Sequence, residues 1–438
     1  MPRFRIVAAG ALAIAAGAAP RAMAAPDDGL PAPLRMEQAL QRALDRNLTI
    51  RQARQQVGIL RGRREHAARI VPTNPELALS AGRRSRGSEA TTDIGVRISQ
   101  TLFTGGKRGL HIAVAEARTG SARARLEYLQ TATVARTRRA FLDLLVAKEA
   151  VTTAEEVLES ARAFHEYARQ RLEAGEATRL AVNTARIGSG RARAALAAAR
   201  TEVSRTRVRL LQLLAADPAR ELRVAGNLTT RPLDLPDREK LLRRALERRS
   251  DLAAAGRQVA AARKALKLSE RQLIPNLTVY GFYKREEGAD VAGGGLSAPI
   301  PVLHRYGGEQ RAARARLQQA RLEEDTLRLT VRREVTRALA AYEGARQRVK
   351  ALKGTVLESA AENLELVQRA LKAGNVGAPA VTTARDNLLN VRRDYLDALR
   401  SLVEAGTTLE RATGGLIALG PRPGTTAATE QETESHAR

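Results

Sequence analysis

Between Asp93 and Leu102 the chain alternates: Ile94, Val96, Ile98 and Leu102 lie out of phase with Asp93, Gly95, Arg97, Ser99 and Thr101. That is the period of a strand with one apolar and one polar face. After Thr104-Gly105-Gly106 the period changes. From Lys107 to Glu173 there is no proline, only Ala, Leu, Arg and Glu at helical spacing, which predicts one continuous helix. Its roughly 67 residues span on the order of 100 Å at helical rise.

The pattern occurs twice. Leu296, Ala298, Ile300 and Val302 alternate with Gly295, Ser297, Pro299 and Pro301, and a second proline-free run extends from Glu309 to Lys372. Ala43-Leu44 recurs as Ala245-Leu246, Gln56-Val57 as Gln258-Val259, Ala174-Gly175 as Ala373-Gly374, and Thr184-Ala185-Arg186 as Thr383-Ala384-Arg385. A period of roughly 200 residues means two tandem half-molecules rather than a solenoid of small repeats. The expected organisation is a leader over 1–24, a first copy over 25–217, a linker over 218–236, a second copy over 237–414 and a disordered tail over 415–438.

Within the first copy, helices are expected from Met36 to Asn47 and from Thr49 to Arg69, the latter stopped by Pro72 and Pro75. Leu77, Leu79 and Ala81 form a strand, and Arg83 to Thr92 reads as a polar turn, giving a hairpin with the strand that follows. The long helix carries Leu144, Ala147, Val151, Ala154, Leu158 and Ala161 at coiled-coil spacing. It turns at Ala174-Gly175, and a return helix starts near Thr178. The second copy repeats this order: one helix from Asp237 to Leu273, a strand from Leu277 to Lys284, a turn over Arg285 to Asp290 and a glycine-rich strand. Val331, Val335, Ala338, Tyr342, Ala345, Val349, Leu352 and Val356 then hold a step of 3.5, which demands a left-handed supercoil.

Composition narrows the function classes. Arg3 and Arg5, the apolar run Ile6 to Ala19 and Ala22-Met23-Ala24 predict a cleaved secretory signal. No cysteine is present, so disulfides and thiol chemistry are excluded, and no window is apolar enough for a membrane-spanning helix. The net charge of +27 comes with only 3% aromatic residues and with arginines spread among glutamates. These are solvated helix faces rather than a nucleic-acid surface. His66, His111, His165, His304 and His436 are scattered as solvated residues, with no ligand spacing and no nucleophile and base together. No metal site, cofactor or enzymatic activity is expected.

Each copy supplies one hairpin, and four strands can cross an outer membrane but cannot close. An open edge cannot face lipid, so strands must be pooled between chains. Tandem halves of helix, hairpin, long helix, glycine turn and return helix resemble the TolC family of outer-membrane efflux proteins over Met36 to Gly414. Asn74-Pro75-Glu76-Leu77, Gln100 with Gly106-Lys107-Arg108, and Pro299-Ile300-Pro301 followed by Arg305 and Gly307-Gly308-Glu309 are similar to its cation-efflux, CzcC-like branch.

The resemblance implies a mainly α fold with a membrane β-barrel: a homotrimer closing a twelve-stranded barrel in outer-membrane lipid and continuing it as a coiled-coil tunnel through the periplasm. It also implies a periplasmic adaptor and an inner-membrane pump of the resistance-nodulation-division type. The cargo would be divalent heavy-metal cations, with drugs or other organic compounds as the alternative. A structural periplasmic coiled coil is the rival class, and it leaves the two hairpins unexplained. Ala174, Gly175 and Thr178 in one turn and Ala373, Gly374 and Gly377 in the other are the tunnel-tip and adaptor-contact candidates, braced or lined by Arg186 and Arg385. Relatives with acidic gates carry aspartates where this chain has Ala380 and Thr383, so an acidic ring is not expected there.

Overall fold

The computed structural model describes residues 30–86, 89–226 and 235–415. The expected signal over 1–24, residues 227–234 of the expected linker and the expected tail from 416 onward lie outside the described residues. Helices α1 (Met36–Arg46) and α2 (Leu48–Ala67) lead into strands β1 (Glu76–Arg86) and β2 (Glu89–Leu102), then α3 (Lys107–Glu173) and α4 (Arg179–Leu213). The order recurs as α5 (Arg238–Arg248), α6 (Ser250–Arg271), β3 (Leu277–Glu286), β4 (Ala289–Ser297) and α7 (Gly307–Ala351). A π-helical turn (Leu352–Val356), α8 (Leu357–Lys372) and α9 (Ala378–Ala412) complete it.

The strands form one antiparallel sheet in chain order, β1-β2-β3-β4. Leu77 faces Ile98, Leu79 faces Val96, and Val96 faces Tyr283. Residues directly opposite share a face, so Leu77, Leu79, Ile94, Val96, Ile98, Val279, Tyr283 and Leu296 lie on one side, and Phe282 and Val291 on the other. In the single chain the first side is open to solvent, with Leu77, Leu79, Ile98 and Leu296 all more than half exposed. The opposite face carries Ser80, Asp93, Arg97, Thr101, Tyr280 and Lys284.

Five expectations on element bounds need correction. The turn expected over Arg285 to Asp290 is strand at both ends, since Arg285 pairs with Asp290 and Glu286 with Ala289. The polar turn over Arg83 to Thr92 is instead mostly strand: the ladder runs out to Arg86 and resumes at Glu89, and Arg84 pairs with Asp93 at 3.0 Å. Polarity does not end a hairpin whose backbone hydrogen bonds remain paired. The strand through Leu296, Ala298, Ile300 and Val302 ends at Ser297, because Pro299 and Pro301 have no N–H for a ladder.

The helix from Asp237 to Leu273 breaks at Arg249, whose ψ of 120° is extended. The Arg249 side chain is pulled into the body, donating to Asp251 and Glu334, each at 2.6 Å, and to the Ala412 carbonyl at 3.2 Å. Burial opposes its charge, but these carboxylate hydrogen bonds outweigh burial and raise its pKa. The run from Glu309 to Lys372 is likewise interrupted, at Gly354, which has non-helical φ −92° and ψ −118°. The 3.5-residue seam is buried through Val349, continues with Leu352 packed partly buried on the same cluster, and stops at Gly354, leaving Val356 exposed.

Two compact girdles hold the helices. Leu34, Ala39, Phe141, Leu144, Leu210 and Leu211 pack α1, α3 and α4 together. Leu241, Val331, Val335, Tyr342, Ala405 and Leu409 do the same for α5, α7 and α9. The alanine-rich α3 and α4 then run on as a pair packed through Ala154, Leu158, Ala192 and Leu196. At the sheet, Lys107 Nζ donates to Asn276 Oδ1 at 2.7 Å and Thr104 Oγ1 donates to the Pro275 carbonyl. These bonds tie the base of one hairpin to the base of the other.

Candidate functional site

The two helical hairpins turn in the same way for the same local reason. Each outgoing helix ends in an alanine, Ala174 or Ala373, followed by a glycine in the left-handed region, Gly175 at φ 77° and Gly374 at φ 78°. The chain then folds back on the last carbonyls. Glu176 N–H donates to the Arg171 carbonyl at 2.7 Å and Asn375 N–H to the Ala370 carbonyl at 2.9 Å, the six-to-one bond of a Schellman cap. The return helices start differently. Thr178 Oγ1 accepts from Ala181 N–H at 3.3 Å, whereas Gly377 offers no side-chain cap and is followed by Pro379 in the first turn. Proline there removes one of the donors that a helix start leaves unpaired.

The turns lie at one end of the molecule. Arg385 of α9 sits 5.9 Å from the Phe164 ring of α3, and each of these residues is eleven positions from its own turn glycine. Arg385 Nη2 also donates to the Ser160 carbonyl and hydroxyl, and burial lowers its pKa. Its counterpart Arg186 is exposed on α4. The two arginines that the sequence pairs therefore have different surroundings: one braces α9 against α3, and the other faces outward.

Toward the sheet, Arg392 pairs with Glu156, Arg139 with Glu404 at 2.8 Å, and Arg138 with Glu410. This ladder fixes α9 along α3 for most of its length.

Ala380 and Thr383 do not stand on a plain helix surface. With Ser359, Asn363, Val367 and Asn387 they line a groove of about 630 Å³ between α8 and α9, just beyond the interruption at Gly354. Sequence reasoning missed this groove. The available signal was Gly354 itself, a glycine within an otherwise regular apolar seam. The expectation that His111 is solvated needs correction: it is partly buried, with its ring 5.4 Å from Phe103. Burial, with Lys107 and His66 nearby, lowers its pKa. Among the described residues no three His, Cys, Asp or Glu side chains gather as metal ligands, and no helix is long and apolar enough to cross a membrane.

Comparison with known proteins adds four findings. A family model described as outer membrane efflux protein matches residues 39–216 and 241–415. The cobalt-zinc-cadmium resistance protein CzcC of Cupriavidus metallidurans is 28% identical, over 87% of this chain and 90% of its own. The outer membrane efflux protein BepC of Brucella suis is 26% identical, over 80% of this chain and 81% of its own. Among solved structures, the Campylobacter jejuni CmeC outer membrane channel superposes with a TM-score of 0.77 at 14% identity, covering 92% of this chain and 88% of that one.

Proposed function

The chain belongs to the outer membrane efflux protein family, and on that premise we propose that it is the outer-membrane duct of a tripartite export system for divalent heavy-metal cations. The cargo rests on one observation, the similarity to CzcC along nearly the whole chain. The duct itself follows from the strands. A four-stranded sheet with an apolar outer face and two open edges cannot sit in lipid alone, and three copies would close twelve strands. The secretory leader over 1–24 would deliver the chain, and the copies over 25–217 and 237–414 would each supply one hairpin and one helical pair.

The turns at Ala174, Gly175 and Thr178 and at Ala373, Gly374 and Gly377 are the sites at which a periplasmic adaptor, joined to an inner-membrane pump of the resistance-nodulation-division type, would meet the duct. Their left-handed glycines, and the helix-start donors left over beyond the Thr178 cap and Pro379, support that reading.

Deleting the gene and titrating zinc, cobalt, cadmium, copper and a panel of drugs tests the cargo. Lost metal tolerance is the expected result; unchanged metal tolerance with lost drug tolerance would overturn the cation assignment. Recovery of the protein as a soluble monomer would overturn the duct.

A further inference from the structure

We infer that Ile70 and the segment from Ile300 to Leu303 form an apolar collar immersed in the inner leaflet of the outer membrane, against lipid acyl chains. This rests on the outer-membrane reading above. Four observations lead to it.

First, these side chains are left outside the protein. Ile70 is 80% exposed, Ile300 82%, Val302 62% and Leu303 101%; Ile70, Ile300 and Leu303 each exceed every large apolar residue on the strands. They flank the two edge strands, so closing the barrel between copies would join them into one exposed apolar belt, the kind of patch that marks an interaction surface.

Second, they lie where the sheet meets the helices. Ile70 precedes β1, and Ile300 to Leu303 follow β4; the starts of β1 and β3 and the ends of β2 and β4 share that end of the sheet by register. Gln100 Nε2 donates to the Thr73 carbonyl at 3.0 Å, which holds the segment after Ile70 against the sheet.

Third, the apolar band of the strands is too short without them. Its outer edge is set by Arg285, opposite Ile94, and by Arg83, opposite Thr92, both on the apolar face. From Ile94 to Leu102, β2 rises about 27 Å at roughly 3.4 Å per residue. That is about 21 Å along the membrane normal at a tilt of roughly 40°, against an apolar band about 25 Å tall in outer-membrane barrels. The arginines block extension outward, so the shortfall is at the inner end, where the collar lies.

Fourth, the backbone suits a low-dielectric setting. Pro299 and Pro301 carry no N–H, and Val302 N–H donates to the Ile300 carbonyl at 2.9 Å. No charge occurs from Leu296 to Leu303 or from Ile70 to Pro75, while Arg69, His304 and Arg305 bound the two stretches. The two prolines and the paired Val302 N–H reduce the number of donors that this segment would expose to lipid.

The lack of cysteine allows single labels. Ile300→Cys, Leu303→Cys, Val96→Cys on the apolar strand face and Arg97→Cys on the opposite face would each carry an environment-sensitive fluorophore. The full-length protein would be reconstituted into phosphatidylcholine vesicles. Brominated acyl chains should quench the labels at positions 300, 303 and 96, and aqueous iodide should quench chiefly the label at 97. Iodide quenching at 300 and 303 without bromine quenching would put the segment in water and overturn the collar. Protection of these two from both quenchers would mean that another copy covers them, and would overturn it equally. In either case bromine quenching at 96 keeps the barrel reading intact, whereas its loss at 96 would overturn both.

Discussion

Arg138 of α3 and Glu410 of α9, 272 residues apart in the chain, form an ion pair inside the helical body with side chains 1% and 4% exposed. Removing one partner strands a buried charge, which costs about 3–5 kcal/mol, whereas replacing both by apolar groups of similar volume is far milder. Glu410→Ala should therefore lower stability by about 3–5 kcal/mol, and Arg138→Met combined with Glu410→Leu by clearly less. Denaturant unfolding of the detergent-solubilised protein measures both. A double variant as damaged as the single one would contradict the expectation.

One turn further along α3, Asp143 is 7% exposed beside Arg139. Burial raises its pKa despite the opposing pull of Arg139, Arg400 and Arg209. A carboxyl with a raised native pKa binds more protons folded than unfolded. Its stabilising contribution is thus fully present below its unfolded value of about 3.9 and is lost as pH rises through the folded value. Asp143→Asn should flatten that fall. Melting temperatures taken from about pH 4 to about pH 7 would show it as a smaller slope than in the parent, and an unchanged slope would assign the pH dependence elsewhere.

Tyr280 and Gly295 face each other across β3 and β4. A Cβ at Gly295 would stand 2.6 Å from the Tyr280 Oη, and the Arg97 guanidinium, 4.7 Å from the ring centroid, covers that ring. Gly295→Val should cost roughly 1–3 kcal/mol through overpacking and reduce recovery of the proposed heat-sensitive oligomer on unboiled gels. Tyr280→Ala in the same chain should restore part of it. Equal recovery of Gly295→Val and parent would show that the ring moves aside freely.

Gly374 has φ 78°, yet a Cβ there meets no atom within 4 Å. Gly374→Val would carry a local backbone penalty of about 1–2 kcal/mol without a clash in the body. Metal tolerance should drop while the oligomer and its membrane location persist, with Gly374→Ala intermediate. Full tolerance in Gly374→Val would remove this turn from the proposed adaptor contact.

The sequence by itself determined the periodic parts. The two hairpins, the long α3 from Lys107 to Glu173 and the turns at Gly175 and Gly374 were legible because alternation, helical spacing and left-handed glycines are properties of near neighbours. The apolar face of the sheet was legible for the same reason. Tertiary structure decided what depends on distant partners. Arg249 splits α5 from α6 because its guanidinium reaches Asp251, Glu334 and Ala412, the last two 85 and 163 residues away. Arg385 braces while Arg186 faces outward because only α3 offers a Ser160 and a Phe164 at that level. The seam expected to run through Val356 stops at Gly354, where the helical register shifts and the groove beside Ala380 and Thr383 opens. Periodicity states which residues share a face. It does not state what lies opposite them, and these features were set by what lies opposite.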